Sequence, residues 1–287
     1  MVDALRLLIG LLMLAFLPRW ALADDVVRPI MAEHLPWAIS GYELALLHGA
    51  LERTRPDYGA YEVKPFSENV SNARAIQLAV GGDLVNLYPA GVGQAVPERE
   101  MIPVPFPIDK GLLSYRVSLI NQRNQERFSR IQSIEDLRQV RVGQGSGWAD
   151  TPIYEYNRIP IETAPNFESL FPMLLNGRFD LFPRGLSAYS QRFPDFAIEQ
   201  HLLIHYPFCK VFYVSRSAPR LATRLATGLE RMVLDGSLDA LFAEHYGKLL
   251  VDLNLRQRVV IELENPFLPG WVPLNRKNLW FDPAQMP

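Results

Sequence analysis

The chain has 287 residues with 29 basic and 31 acidic side chains, so its formal net charge is −2 at pH 7. This balance gives no electrostatic reason to bind nucleic acid or an anionic membrane surface. The length suits one large or two medium domains. Cys209 is the only cysteine, which excludes an internal disulfide, and with the five scattered histidines it forms no metal-ligand spacing. No metal and no cofactor is therefore predicted.

Residues 1–23 are predicted to be a cleavable secretory signal. One basic residue, Arg6, precedes an apolar run at residues 7–17, and residues 21–23 supply the small side chains that a signal peptidase recognises. The run is shorter than the roughly 20 residues that a membrane-spanning helix needs. The sequence therefore predicts export to the periplasm of a soluble mature chain that begins at Asp24.

The rest of the chain alternates predicted strands and helices, a pattern typical of a mostly parallel sheet flanked by helices. Helices are predicted at residues 41–55, 73–80, 148–158, 167–176, 187–193 and 221–249, the last one broken at Asp235-Gly236. Strands are predicted at residues 61–65, 83–87, 112–120, 140–143, 161–163, 179–183 and 211–215. The tail from residue 258 is rich in proline and aromatic residues and is expected to wrap irregularly.

Extended crossings near Ile120 and at residues 205–211 divide this α/β pattern into two lobes. Residues 24–120 and 210–287 are predicted to form a discontinuous first lobe, and residues 121–209 a second lobe inserted into it. Such an arrangement creates a hinge and a cleft, and clefts between lobes are where small ligands bind.

Four segments in this order carry a resemblance to a known family. They are Val-Pro-Glu-Arg at 96–99, Val-Arg-Val-Gly-Gln-Gly-Ser at 140–146, Leu-Leu-Asn-Gly-Arg-Phe-Asp at 174–180 and Leu-Asp-Gly-Ser-Leu-Asp-Ala-Leu at 234–241. With these segments the chain resembles a divergent branch of the amino-acid-type solute-binding proteins of ABC transporters. The resemblance implies the type II periplasmic binding-protein fold, a monomer, a small-molecule ligand and an ABC permease or another membrane protein as partner.

The resemblance also implies a ligand pocket. Arg99 matches the arginine that pairs with the ligand carboxylate in this family, and Gly145 and Ser146 match a loop that offers backbone N–H groups and a hydroxyl. The family's aspartate for the ligand ammonium is replaced by Gly185, and Arg184 precedes it. An arginine there favours an anionic or carboxylate-bearing ligand.

Five further residues are candidates from their position alone: Trp37, Tyr88, Arg116, Trp148 and Asp150. Structural roles stay open for several candidates. Arg99 could form a surface pair with Glu98 or Glu100, Arg116 an outer-face pair with Glu126 or Asp109. Ser146 could be a plain helix cap, and Trp148 a core anchor.

Two other functions compete with solute binding for transport or sensing. An enzyme on the same fold, a cyclohexadienyl or prephenate-type dehydratase, would use a cleft carboxylate such as Asp150 or Glu33 as acid and base. The sequence holds no Gly-x-Ser-x-Gly nucleophile motif and no metal cluster, so we expect no catalysis. An accessory protein that docks on a membrane partner is the other alternative.

Overall fold

The computed structural model describes residues 25–31, 38–93, 96–186 and 196–285. The predicted signal, Glu33, Trp37 and the helix predicted at 187–193 lie outside the described residues. The helices longer than one turn are α1 (Gly41–Arg53), α2 (Asn72–Gly81), α3 (Thr151–Tyr156), α4 (Phe167–Leu175), α5 (Pro219–Leu234) and α6 (Ser237–Asp252). Single helical turns lie at Arg55–Tyr58, Gln125–Phe128 and Ile134–Leu137.

The strands of the described residues belong to two groups. Strands of the first group are β1 (Asp25–Val27), β2 (Tyr61–Val63), β3 (Leu87–Gly91), β4 (Met101–Pro103) and β11 (Lys210–Ser215). Strands of the second group are β5 (Tyr115–Ile120), β6 (Val142–Gly145), β7 (Ile161–Ala164), β8 (Phe182–Gly185), β9 (Ala197–Ile198), β10 (Leu202–His205) and β12 (Val259–Glu262). The first group of strands with its helices is called the first lobe, and the second group with its helices is called the second lobe. Together they make a two-lobed α/β fold.

The first group has the order β2–β1–β3–β11–β4, in which a single parallel bridge between Pro29 and Leu87 joins β1 to β3. Helices α1 and α5 cover this group at close range. A Cβ atom on Gly228 would lie 2.2 Å from the carbonyl oxygen of Ala50, so only glycine permits this approach of the two helices. The resulting core is apolar, with Leu46, Leu225 and similar side chains fully buried.

The second group has the order β7–β6–β8–β5–β10–β12, in which a parallel bridge between Val142 and Leu181 joins β6 to the start of β8. Strands β6, β7 and β8 run in one direction, and β5 is antiparallel to β8 and β10. The carboxyl ends of β6, β7, β8, β10 and β12 therefore meet at one edge. In open α/β sheets this edge is where ligands bind.

Local signals predicted several element ends correctly. Ser133 forms a capping box with Asp136, Asn166 caps α4 through the backbone N–H of Ser169, and Gly82 ends α2 in the left-handed conformation. The break at Asp235-Gly236 separates α5 from α6 as predicted.

Strands β1, β4, β9 and β10 were not predicted, and several other elements differ from the prediction. The strand predicted at 83–87 lies at Leu87–Gly91, α3 begins at Thr151 rather than at 148, and the tail contains a strand, β12. The pairing is also more mixed than alternation alone indicates, because β3, β4 and β5 all pair antiparallel. The two strand differences depend on long-range partners, β11 for β3 and β10 for β12, which local patterns do not report.

A buried arginine fastens the first lobe together. Arg224 in α5 is fully buried, and its guanidinium donates to Asp25 at 2.7 Å, to the Thr54 hydroxyl at 3.0 Å and to the carbonyl of Gly59 at 2.9 Å. It therefore connects α5 to β1 and to the turn after α1, and its charge is neutralised by Asp25.

A buried carboxyl group lies where the chain leaves the first lobe after β4. Asp109 accepts hydrogen bonds from the backbone N–H groups of Gly111, Leu113 and Lys210 at 3.0 to 3.4 Å. Burial raises the pKa of Asp109 from 3.8 to about 6, against the lowering effect of these donors and of the Lys210 charge. The folded chain therefore holds a proton on Asp109 more tightly than the unfolded chain does.

The contribution of Asp109 to the free energy of unfolding should decrease as the pH rises from about 4 to about 6, since its folded-state pKa is raised. Its stabilising contribution is complete below the unfolded pKa and is lost as the pH passes through the folded value. The measurement is the difference in melting temperature between the natural chain and Asp109→Asn from pH 3.5 to 7. A difference that does not change with pH would contradict the raised pKa.

Two general findings concern the described residues. No helix among them has the length and apolar character that crossing a membrane requires. No three His, Cys, Asp or Glu side chains within them are grouped as a metal site would need.

Candidate ligand-binding site

The loop that follows β6 lies at the carboxyl edge of the second sheet. Gly145 ends the strand, and a Cβ there would lie 2.2 Å from the Trp148 indole, so glycine lets the ring pack directly on the backbone. Gly147 has φ +77°, which a side chain rarely adopts, and it turns the chain back toward α3. This loop places Trp148 and Asp150 at the edge, three and five residues after the strand ends.

Asp150 is the centre of a polar cluster that sequence reasoning did not assemble. Its Oδ1 atom accepts from Arg116 Nη2 and from the Tyr206 hydroxyl, each at 2.8 Å. Arg116 is in β5, and Tyr206 directly follows β10. Asp150 is also the N-cap position of α3, yet its side chain makes no cap bond. The carboxylate therefore accepts hydrogen bonds from β5 and from the residue after β10, and none from its own helix.

The Arg116 guanidinium lies against two aromatic rings at the start of β5. Its central carbon is 5.2 Å from the ring centre of Tyr206 and 5.5 Å from that of Phe208. The side chain is 8% exposed, so its charge is held mainly by Asp150 and the two rings. The outer-face pairing with Glu126 or Asp109 that the sequence left open is wrong.

The electrostatics of this cluster favour an ionised arginine and neutral tyrosines. Burial alone would lower the pKa of Arg116, but the adjacent Asp150 charge outweighs it and raises that pKa. Burial, together with Asp150, raises the pKa of Tyr206 far above its usual value, so the phenol stays a hydrogen-bond donor. Arg116 Nε is buried and has no hydrogen-bond partner among the described residues.

Gly185 leaves room for Arg116. The two residues are paired across β5 and β8, and a Cβ at position 185 would lie 3.2 Å from Arg116 Nη1 and 2.8 Å from Leu113. A larger residue here would crowd the guanidinium. The absence of a side chain at 185 and the presence of Arg116 beside it are therefore coupled.

Arg184 lies on the other face of the same sheet. It pairs with Val117, the neighbour of Arg116, and successive strand residues point to opposite faces. Its guanidinium carbon is 4.6 Å from the Phe167 ring centre, 5.3 Å from Phe182 and 5.6 Å from Trp148. Arg184 is only half-buried, so a cation with an aromatic wall reaches the carboxyl edge there.

Together these contacts bring five predicted residues to one edge. Trp148 and Asp150 of the loop contact Arg184 and Arg116 from opposite faces, and Gly145 seats the indole. Trp148 is also stacked on Phe182 at 6.3 Å, so it anchors the aromatic wall and lines the edge at once.

Ser146 and Arg99 occupy different surroundings. Ser146 is exposed, and its backbone N–H donates to Ala164, so it does not cap α3, which begins five residues later. The helix-cap interpretation is therefore wrong. The Arg99 side chain is 89% exposed and lies 3.7 Å from Glu100, the surface ion pair that the sequence allowed.

Tyr88 lies within β3 rather than in a loop. Its ring is fully buried, and its hydroxyl donates to Asn72 at 2.7 Å. Burial raises the pKa of this phenol. Trp37 lies outside the described residues.

Sequence reasoning missed Tyr206, Phe167 and Phe182 as members of the site. Tyr206 is 56 residues from Asp150 along the chain, and no local pattern relates the two. Phe182 lies near the end of the strand predicted at 179–183, so a preference for residues at strand ends would have found it, whereas Phe167 begins a predicted helix.

A separate cavity of about 550 Å³ opens between α1 and β2, away from this edge. Its wall includes Leu44, His48, Glu52 and Tyr61, and neither Arg116 nor Arg184 is among the residues that line it. It is an open groove on the first lobe rather than the site described above.

Comparisons with known proteins identify the fold. No protein-family model and no curated protein matches the chain. Among solved structures, an ancestral arginine-binding protein bound to arginine is similar with a TM-score of 0.51 and 16% identity, over 77% of this chain and 98% of that chain.

Two further structures give the same result. The amino acid ABC transporter substrate-binding protein AbpA from Streptococcus pneumoniae, bound to L-arginine, has a TM-score of 0.50 and 16% identity over 79% of this chain and 95% of its own. An ancestral cationic amino acid solute-binding protein has a TM-score of 0.50 and 19% identity, covering 77% and 95%. The chain has the two-lobed periplasmic binding-protein fold, and the predicted fold class is confirmed.

Proposed function

We propose that the chain is a solute-binding protein that holds a small polar, carboxylate-bearing ligand at the carboxyl edge of its second sheet. The observation that carries this proposal is the pairing of Arg116 and Arg184 with the loop Gly145–Asp150 at that edge. Both crossings between the lobes, after β4 and after β10, leave from the same edge. A ligand bound there touches both lobes when they approach.

The charge of the edge supports an anionic ligand group. Arg184 reaches this edge as a half-buried guanidinium with an aromatic wall. A guanidinium matches a carboxylate with two parallel hydrogen bonds. Two of the similar structures hold arginine, a ligand with a cationic side chain. In this chain we infer instead an anionic group on the ligand at this position, because Gly185 and Arg184 stand where the family resemblance places an ammonium-binding aspartate, and an arginine repels an ammonium group.

Capture rather than catalysis is part of the proposal. In the dehydratase alternative Asp150 would transfer a proton, but its Oδ1 atom already accepts from Arg116 and Tyr206. We further propose export to the periplasm and delivery of the ligand to an ABC permease or another membrane protein, by a monomer.

The first test is a thermal-shift screen of the chain from Asp24 against amino acids, di- and tricarboxylates and prephenate-like acids. A ligand that binds only the folded chain raises the melting temperature, by several degrees at concentrations well above its dissociation constant. A shift with an unconsumed acid supports the proposal. Consumption of the ligand would support the dehydratase, and no shift with any acid would contradict the ligand class.

Arg184→Ala should weaken the affinity for a ligand found in this screen about 10- to 100-fold, the loss of one to two charge-assisted hydrogen bonds. Arg178→Ala is the matched control, since Arg178 is exposed in the turn before β8. Isothermal titration calorimetry measures both. An affinity of Arg184→Ala equal to that of the control would contradict the placement of the ligand, and a large loss in Arg99→Ala would restore the pocket predicted from the sequence.

A further inference from the structure

The chain returns to the second lobe after α6. Helix α6 packs on the first lobe, where Tyr246 and His245 contact the ring of Tyr42 in α1. The next strand, β12, pairs in parallel with β10 along its whole length, from Leu202–Val259 to His205–Glu262. Residues 259–262 are therefore an edge strand of the second sheet.

A buried ion pair fixes this return. Arg258 lies directly before β12, and its Nη1 atom is 3.7 Å from Glu199, with side-chain exposures of 3% and 0%. The same guanidinium donates to the carbonyls of Leu202 at 3.1 Å and Leu253 at 2.9 Å. Because a buried charge without its partner is costly, this contact holds the segment firmly to the second lobe.

Two side-chain amides hold the chain beyond β12. Asn157, at the end of α3, donates to the carbonyl of Glu264 at 2.8 Å and accepts from its N–H at 3.0 Å, as a neighbouring strand would. Asn265 then donates to the carbonyl of Pro207, in the crossing after β10, at 2.8 Å. The chain thus leaves the second lobe beside an existing crossing.

The last segment is fastened to the first lobe. The Trp271 indole N–H donates to Glu98 at 3.2 Å, and Arg276 forms a two-pronged pair with Glu230 of α5. The N–H of Phe281 donates to the carbonyl of Lys110 at 2.7 Å. Val272 and Leu279 are buried, so the segment is part of the core and not a loose tail.

We propose that residues 253–271 form a strap that crosses the hinge twice more, so that four chain crossings, rather than two, join the lobes and restrict their opening. The role of this strap rests on the proposed function, since restricted opening of the lobes slows the exchange of a captured ligand. Motion about a hinge is accommodated by a few residues whose backbone angles change. Two added crossings, each hydrogen-bonded at both ends, leave fewer such angles free.

The test cuts the strap after folding and measures the separation of the lobes without any ligand. A specific protease site is inserted at Gly270, which is exposed and where no atom lies within 4 Å of an added Cβ. Spin labels at Ala73→Cys in α2 and Glu168→Cys in α4, in a Cys209→Ala background, report the distance by double electron–electron resonance. We expect cleavage to shift the distance distribution to longer values and to broaden it.

The matched control carries the same protease site at Ala284, beyond the last hydrogen bond of Phe281. Its cleavage should leave the distances unchanged. Asn157→Ala, which removes the amide bonds to Glu264, is a second variant in case the insertion prevents folding, and it should broaden the distribution as well. Unchanged distances after cleavage at 270, or in a folded Asn157→Ala, would overturn the strap. Because no ligand is used, this outcome is independent of the thermal-shift screen, which tests the proposed function.

Discussion

Asp150→Ala should lower the free energy of unfolding by about 3 to 5 kcal/mol, the usual cost of breaking a buried ion pair from one side. The change leaves Arg116 with a side chain that is 8% exposed and without its carboxylate, and it removes the acceptor of the Tyr206 hydroxyl. Urea denaturation followed by tryptophan fluorescence measures the loss.

The control for this prediction is an exposed pair. Arg99 and Glu100 are 89% and 46% exposed, so Arg99→Ala should change the free energy of unfolding by less than about 1 kcal/mol. The double variant Arg116→Met with Asp150→Ala should recover part of the loss, because it no longer buries a lone charge. Equal effects of Asp150→Ala and Arg99→Ala would show that the Asp150 cluster does not support the fold.

Arg224→Met should destabilise the first lobe by about 3 kcal/mol or more, since it removes a fully buried guanidinium with charge-assisted bonds. Asp25 would keep one cationic neighbour, Arg220, at 2.6 Å. The bonds to Thr54 and Gly59, which secure the turn after α1, would be lost entirely. The midpoint of urea denaturation reports the change.

Arg220→Met is the matched control because Arg220 pairs with the same carboxylate but is 37% exposed. We expect its effect to be much smaller than that of Arg224→Met. If the two variants lose the same stability, attraction to Asp25 decides the effect and burial of Arg224 does not.

The parts of the fold that sequence predicted are those with local causes. The start of α4 at Asn166 and the end of α2 at Gly82 depend on one side chain or one backbone angle within a few residues. The helix break at Asp235-Gly236 is local as well. Such features can be recognised without knowing what packs against them.

The parts that sequence did not predict depend on distant partners. Residues 259–262 have the β-branched composition of a strand, but only pairing with β10, 57 positions away, makes them one. The site follows the same rule: Arg116 and Asp150 were predicted one by one, Tyr206 was missed, and the hydrogen bonds that join the three span 34 and 56 positions. Arg99 stayed a prediction carried by a motif, and the fold leaves it on the surface.

The position of β12 has a consequence for how the chain acquires its structure. The second sheet obtains its last edge strand only from residues 259–262, after helices α5 and α6 of the first lobe. The buried side chain of Glu199 likewise obtains its ion-pair partner only from Arg258, 59 positions later in the chain. Contacts of such long sequence separation slow folding, because the entropy of closing the long intervening loop is lost before the contact stabilises the chain. The second lobe therefore completes its sheet only with the segment that follows α6, and we expect the two lobes to unfold in one cooperative transition.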